Sequence, residues 1–202
     1  MSDAGVFWTY ATIASLWGAT TLATGLIGYQ RFQGTFPYLL LSPHGIPAIF
    51  VPLIVSAAFL GLVLGVPAAL LFNLMCFHQI VLRPIYLLVI VLATFACAAS
   101  ALCLSALYLL TRRAPIYEGL ILTGMWLISG IVIPLSSFSE PVQLLFCLHP
   151  LTVSVKILSA TTIQEVALLC IVSCALSACL TVIGSKVITA SFERVRMEGD
   201  FS

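Results

Sequence analysis

The residues best suited to chemistry in this sequence are two Cys-x-His pairs, Cys76-Phe77-His78 and Cys147-Leu148-His149, and one carboxylate set in an apolar stretch, Glu118. Four soft or borderline ligands would hold zinc or copper(I) if the two turns met, and a Cys76 to Cys147 disulfide is the other pairing they allow. Neither pair has an established metal-site spacing. The seven cysteines are scattered through apolar segments, where a thiol behaves as a small hydrophobe. No bound metal or cofactor is therefore expected. A carboxylate at membrane depth warrants a functional hypothesis, and Glu118 is expected at the interface or facing a cavity. The sequence contains no Gly-x-Ser-x-Gly, no His-Glu-x-x-His and no Gly-x-x-x-x-Gly-Lys, so neither hydrolysis nor nucleotide binding is expected of this chain. Any driven process needs its energy from a partner.

The elements that would carry these residues are set by hydropathy. The 202 residues are 61% hydrophobic and 7% charged, with a mean hydropathy of +1.18, outside the range of a water-soluble domain. Between Phe32 and Leu82 there is no Asp, Glu, Lys or Arg. Lipid offers the backbone no hydrogen bonds, and strand alternation is absent, so the apolar runs read as helices. A net charge of +1 without a dense basic run excludes nucleic acid as an expected partner; membrane lipid is the expected surrounding. The first segment lacks the basic n-region of a signal peptide, since its only charge before Arg31 is Asp3.

The expected fold is an all-α integral membrane protein, one domain over residues 1–202, with about five spans at 6–27, 46–74, 84–110, 117–134 and 164–188. Residues 135–160 are too interrupted by Pro134, Pro141, His149 and Pro150 for a lipid-exposed crossing, and too apolar for a solvated loop. They are expected to form a re-entrant pair of half-helices on the outer side. With the Arg31 loop inside, Arg31, Arg112, Arg113, Lys186, Arg194 and Arg196 are cytoplasmic and only Arg83 and Lys156 lie outside. That orientation follows the positive-inside rule, with the N-terminus outside and the C-terminus in the cytoplasm of a multi-pass cell-membrane protein.

The turn after the first span runs Gln30-Arg31-Phe32-Gln33-Gly34-Thr35-Phe36-Pro37-Tyr38-Leu39-Leu40-Leu41-Ser42-Pro43-His44. It breaks at Gly34, offers Thr35 as an N-cap, and stops at Pro43, as a short interfacial helix over about 34–43 would. On residue physics alone, such a helix either connects two spans or docks a partner through Phe36, Tyr38, Leu39 and Leu40.

This pattern, Gly-Thr followed by a Leu-rich run and Ser-Pro after a span, resembles the coupling helix of ABC-2 type exporter permeases. A second match lies downstream, in Ser129-Gly130, Pro134-Leu135, Pro141, Leu144-Leu145 and His149-Pro150-Leu151-Thr152. It resembles the end of the family's fifth helix, followed by extracellular re-entrant helices and an Asn-Pro-Leu-Thr-like turn, with His149 where Asn is usual. The resemblance covers most of the chain, from its first span to its last, and implies that it begins at the family's second helix, without the elbow helix and first span. It also implies a second permease subunit and cytoplasmic ABC ATPase subunits that bind ATP and Mg. Coupling to the ATPase would run through Arg31, Gly34, Thr35, Phe36, Tyr38, Leu39, Leu40 and Pro43, with Arg112 and Arg113 in a second cytoplasmic turn. Where the family carries acids around Gly-Thr this chain has Arg31, Phe32, Gln33 and Pro37, so docking is expected to be apolar. The cargo implied is amphipathic or hydrophobic: lipid, glycolipid, peptide or drug. A drug or antimicrobial-peptide resistance permease and a non-transporting membrane scaffold are the alternative readings.

Overall fold

The computed structural model describes residues 3–35, 38, 47–110 and 114–198. Among the described residues the chain is helical without strands. Its helices are α1 (Asp3–Phe32), α2 (Pro47–Phe77), α3 (Pro84–Leu110), α4 (Ala114–Ile128), α5 (Glu140–Phe146), α6 (Pro150–Lys156) and α7 (Ile163–Glu198), with short 3-10 turns at Leu135–Ser137 and Ile157–Ser159. Among the described residues, three stretches are long and apolar enough to cross a membrane: Ala48–Phe77, Pro84–Leu109 and Ile163–Ser191.

The first and fourth predicted spans differ from this group for separate reasons. α1 has the length, 30 residues, but is rich in Thr, Trp and Gly. Thr9, Thr12 and Thr20 can be fully buried because each hydroxyl is satisfied within the helix: Thr9 donates to the Gly5 carbonyl at 2.8 Å, Thr12 to Trp8 at 2.8 Å and Thr20 to Leu16 at 2.8 Å. Such bonds let polar side chains sit in a low-dielectric interior without an unmade hydrogen bond. α4 has only 15 residues, about 22 Å at the helical rise, against a hydrocarbon core of about 30 Å. It stops at Ile128 rather than continuing to 134 because Gly130 takes a φ of +84°, with Leu135 filling the space where a side chain would project.

α1 packs between α2 and α3, and α7 covers the other side of α3. The seam between α1 and α2 rests on a Gly-x-x-x-Gly spacing. A Cβ at Gly61 would lie 3.0 Å from Leu16 Cα, and one at Gly65 would lie 2.6 Å from Ser15 Cβ. Ser15 in turn donates to the Gly61 carbonyl at 3.1 Å. Small residues at this spacing let helix backbones meet closely, which is how apolar helices associate when lipid removes the hydrophobic drive between them. Gly184 of α7 does the same against the Cys103 backbone of α3, at 3.1 Å.

The core follows this arrangement, with Trp8, Ile13, Leu16, Tyr86, Val89 and Leu151 fully or almost fully buried. Trp8 also donates its indole N–H to the Val81 carbonyl at 3.0 Å and meets Tyr86 edge-on, pinning the α2–α3 loop to the start of α1. α2 and α7 leave broad apolar faces outward, including Val55, Phe59, Leu168 and Ile171.

This packing separates two kinds of glycine. Gly65→Val should destabilise the chain by about 1 to 3 kcal/mol through overpacking at the α1–α2 seam. Gly119→Ala, with no neighbour within 4 Å, should be neutral or stabilising by up to about 1 kcal/mol. Unfolding of both variants in detergent micelles measures this; equal destabilisation would contradict the packing.

Candidate functional site

Two segments singled out by sequence meet the structure at helix ends. α1 closes at Gly34, whose φ is +69°, and the Thr35 N–H bonds the Gln30 carbonyl at 3.1 Å. This six-residue closure is a Schellman motif, for which Gly is the residue that takes the left-handed position without strain. The Thr35 hydroxyl turns back onto the Gln30 carbonyl and side-chain oxygens, sealing α1 rather than only heading the next turn. Tyr38 follows with its N–H on the Thr35 carbonyl, its side chain 75% exposed. Arg31 belongs to the last turn of α1. The other residues expected to couple, Phe36, Leu39, Leu40 and Pro43, lie outside the described residues, as do Arg112 and Arg113.

Downstream, Pro134 is exposed at the head of a 3-10 turn, and Pro141 lies in the first turn of α5. α5 and the following Pro150–Ser159 segment meet at 117°. His149 and Pro150 make the corner, with Pro150 in the first turn of α6, where its missing N–H costs nothing. From Pro150 to Val155 every residue of α6 is buried, against α3 and α7. Its polar groups are bonded on each side: Thr152 donates to the Ile128 carbonyl at 3.0 Å, fastening α6 to the end of α4, and the Ser154 and Ser173 hydroxyls meet at 2.8 Å.

At the corner, His149 is 8% exposed and joins four elements. Its Nε2 lies 3.2 Å from the Ser100 Oγ of α3. Because that hydroxyl donates its single proton to the Ala96 carbonyl at 2.8 Å, Nε2 is the donor to Ser100. Trp17 of α1 meets the imidazole edge-on at 6.2 Å and stacks on Trp126 of α4 at 6.0 Å. His149 Nδ1 is left buried without a hydrogen-bond partner. A buried acceptor of this kind is a positioned polar group at the depth where α1, α3 and α4 converge.

Two cavities border the same helices. One, of about 430 Å³, is bordered by Val6 and Tyr10 of α1, the turn after α4, Gln143 of α5, and Val155 and Lys156 of α6. The other, of about 400 Å³, lies between α1 and α4 and holds Glu118, whose Oε1 stands 3.0 Å from the position of a Cβ at Gly25. Glu118 thus faces a cavity lined by Thr21, Gly25 and Tyr29.

The Cys-x-His pairs do other work. His78 has a φ of +53° and its N–H bonds the Leu74 carbonyl at 2.9 Å, making it the left-handed cap of α2. His149 is turned onto Ser100, all seven cysteines are unpaired, and among the described residues no three His, Cys, Asp or Glu side chains gather as metal ligands. The role of Ser100 was not read from the sequence, because 49 residues separate it from His149. The Gly61-x-x-x-Gly65 spacing, by contrast, is a signal that sequence reading could have used. Comparison of the chain with protein-family models, curated proteins and solved structures finds no match.

The His149–Ser100 bond predicts non-additive stabilities. Ser100→Ala alone leaves the imidazole N–H buried and unpaired, costing about 1 to 3 kcal/mol, whereas removing both polar partners with Ser100→Ala and His149→Leu should cost less than the sum of the single changes. A double-mutant cycle in detergent unfolding reads the difference; strict additivity would show that the pair is not coupled.

Proposed function

We propose that the chain is the membrane-embedded permease subunit of an ATP-driven exporter of the ABC-2 type, moving an amphipathic or hydrophobic cargo by alternating access. The observation that carries this reading is the broken segment after α4. Its two proline-headed half-helices, with the second buried between α3 and α7, fall where the resemblance to that family calls for outer re-entrant helices and an Asn-Pro-Leu-Thr-like turn. The Schellman closure at Gly34, leading into an exposed Tyr38, supports the coupling turn.

On this reading α1, α2, α3, α4 with its flanks, and α7 make five crossings, and α5 and α6 enter and leave on the outer side. The N-terminus is outside and the C-terminus cytoplasmic, by the lysine and arginine distribution. A second permease chain pairs with this one to form the path, and cytoplasmic ATPase subunits supply ATP, Mg and hydrolysis. This chain contributes no catalytic residue. The outward apolar faces of α2 and α7 meet lipid or the second permease.

The coupling turn has no acid between Gly34 and Pro43, so apolar side chains dominate its docking. Each large one buried contributes about 1.5 to 3 kcal/mol, while an exposed ion pair contributes about 0 to 1 kcal/mol. Tyr38→Ala with Leu39→Ala should therefore weaken co-purification of the ATPase and abolish transport in a chain that still folds, and Arg31→Gln should give a milder, salt-sensitive loss. If the double variant keeps both, the turn is a connector. If the unaltered chain brings down no ATPase, the scaffold reading replaces the permease.

A further inference from the structure

We infer that the cavity between α1, the turn after α4, α5 and α6 is a binding site for an anionic amphiphile, a lipid whose phosphate is held by Lys156 and whose acyl chain lies on the apolar walls. The volume, about 430 Å³, lies within the range of small-molecule sites. Its walls combine the apolar Val6, Leu135 and Leu158 with the polar residues Tyr10, Gln143 and Lys156. Lys156 ends α6 and is only partly exposed, and among the described residues its ammonium has no carboxylate partner. A partly buried cation without a counter-ion, next to an apolar wall, is matched by a ligand carrying one negative charge and a hydrocarbon part.

The polar groups are held in place. Gln143 Nε2 donates to the Phe138 carbonyl at 2.8 Å, fixing the side chain over the turn after α4, and the Ser159 hydroxyl donates to the Lys156 carbonyl at 2.8 Å, fixing the end of α6. Gly130, at φ +84°, brings Leu135 into the wall. Among the described residues, no acid lines the cavity: Glu165 accepts from the Thr161 N–H at 3.1 Å, and Glu140 is exposed in the first turn of α5. Among the described residues that line it, the cavity presents one positive charge, Lys156, and otherwise neutral groups. This inference requires only that the chain sits in a bilayer, and stands whether or not it works with an ATPase.

The test is native mass spectrometry of the full chain released from micelles loaded with equal amounts of phosphatidylglycerol and phosphatidylcholine of the same chain length. The unaltered chain should retain phosphatidylglycerol in preference by about tenfold, the ratio that one charge-assisted contact provides. Lys156→Gln should remove the preference and Lys156→Arg should keep it. Ser136→Phe, on the exposed rim of the cavity, should lower retention of the anionic lipid without touching the charge, and keeps the test open if Lys156→Gln does not fold. Glycerol 3-phosphate, which has the head but no chain, should not displace the lipid. Equal retention of the two lipids, an unchanged preference in Lys156→Gln, no effect of Ser136→Phe, or displacement by glycerol 3-phosphate would each overturn the assignment of a lipid site.

Discussion

A polar group held away from water has to find its partner inside the protein, and the His149–Ser100 contact is where that constraint shapes most of this structure. The corner at His149 turns the chain through 117°, from the exposed α5 into the buried α6. Such a turn frees backbone and side-chain groups that lipid cannot satisfy. Most are taken up by neighbours: Ser100 binds the imidazole Nε2, Ile128 receives the Thr152 hydroxyl, and Ser173 meets Ser154, while His149 Nδ1 stays without a partner. α3, α4 and α7 are thereby fixed around α6. Trp17, packed between His149 and Trp126, extends the same junction into α1.

The distribution of polarity among the helices follows from the same constraint. α2 and α7 are strongly apolar and turn broad hydrophobic faces outward, with Val55, Phe59, Leu168 and Ile171 exposed, while their polar residues Asn73, Ser173 and Ser177 are buried. α1 is less apolar in composition yet lies between α2 and α3, where its threonines bond their own backbone and its glycine and tryptophan side contacts fit the neighbours. A helix that touches protein on two sides has no need of uniform hydrophobicity. Close backbone approach at Gly61, Gly65 and Gly184 then adds to the contacts of the large core side chains.

How much of this was legible in the sequence depends on whether the signal was local. The long apolar runs of α2, α3 and α7 announce themselves, and the prolines at 134, 141 and 150 announce the break after α4. The left-handed closure at Gly34 also follows from a glycine after a helical run. The early end of α4 was not legible, because apolar residues continue past Gly130 and only the backbone turn there, with Leu135 beside it, stops the helix. His149 was legible as a turn residue but not as a junction. Its partners Ser100 and Trp17 are distant in sequence and ordinary in type, and a serine in an apolar helix carries no mark of what it will face. Glu118 was visible as an acid in an apolar stretch, while the cavity it faces depends on where Gly25 leaves room on α1.

The account rests on α6 lying buried between α3 and α7 rather than on the surface of the bundle. In a chain whose seven native cysteines are replaced by Ser or Ala, Ser154→Cys combined with Ser173→Cys places two thiols where the hydroxyls meet at 2.8 Å. Mild oxidation of this variant in membranes should form the intramolecular disulfide rapidly and nearly completely, while Ser154→Cys with Ser185→Cys, about three helical turns further along α7, should stay reduced. Failure of the first pair to cross-link, or equal cross-linking of both, would contradict the insertion of α6 and with it the junction at His149.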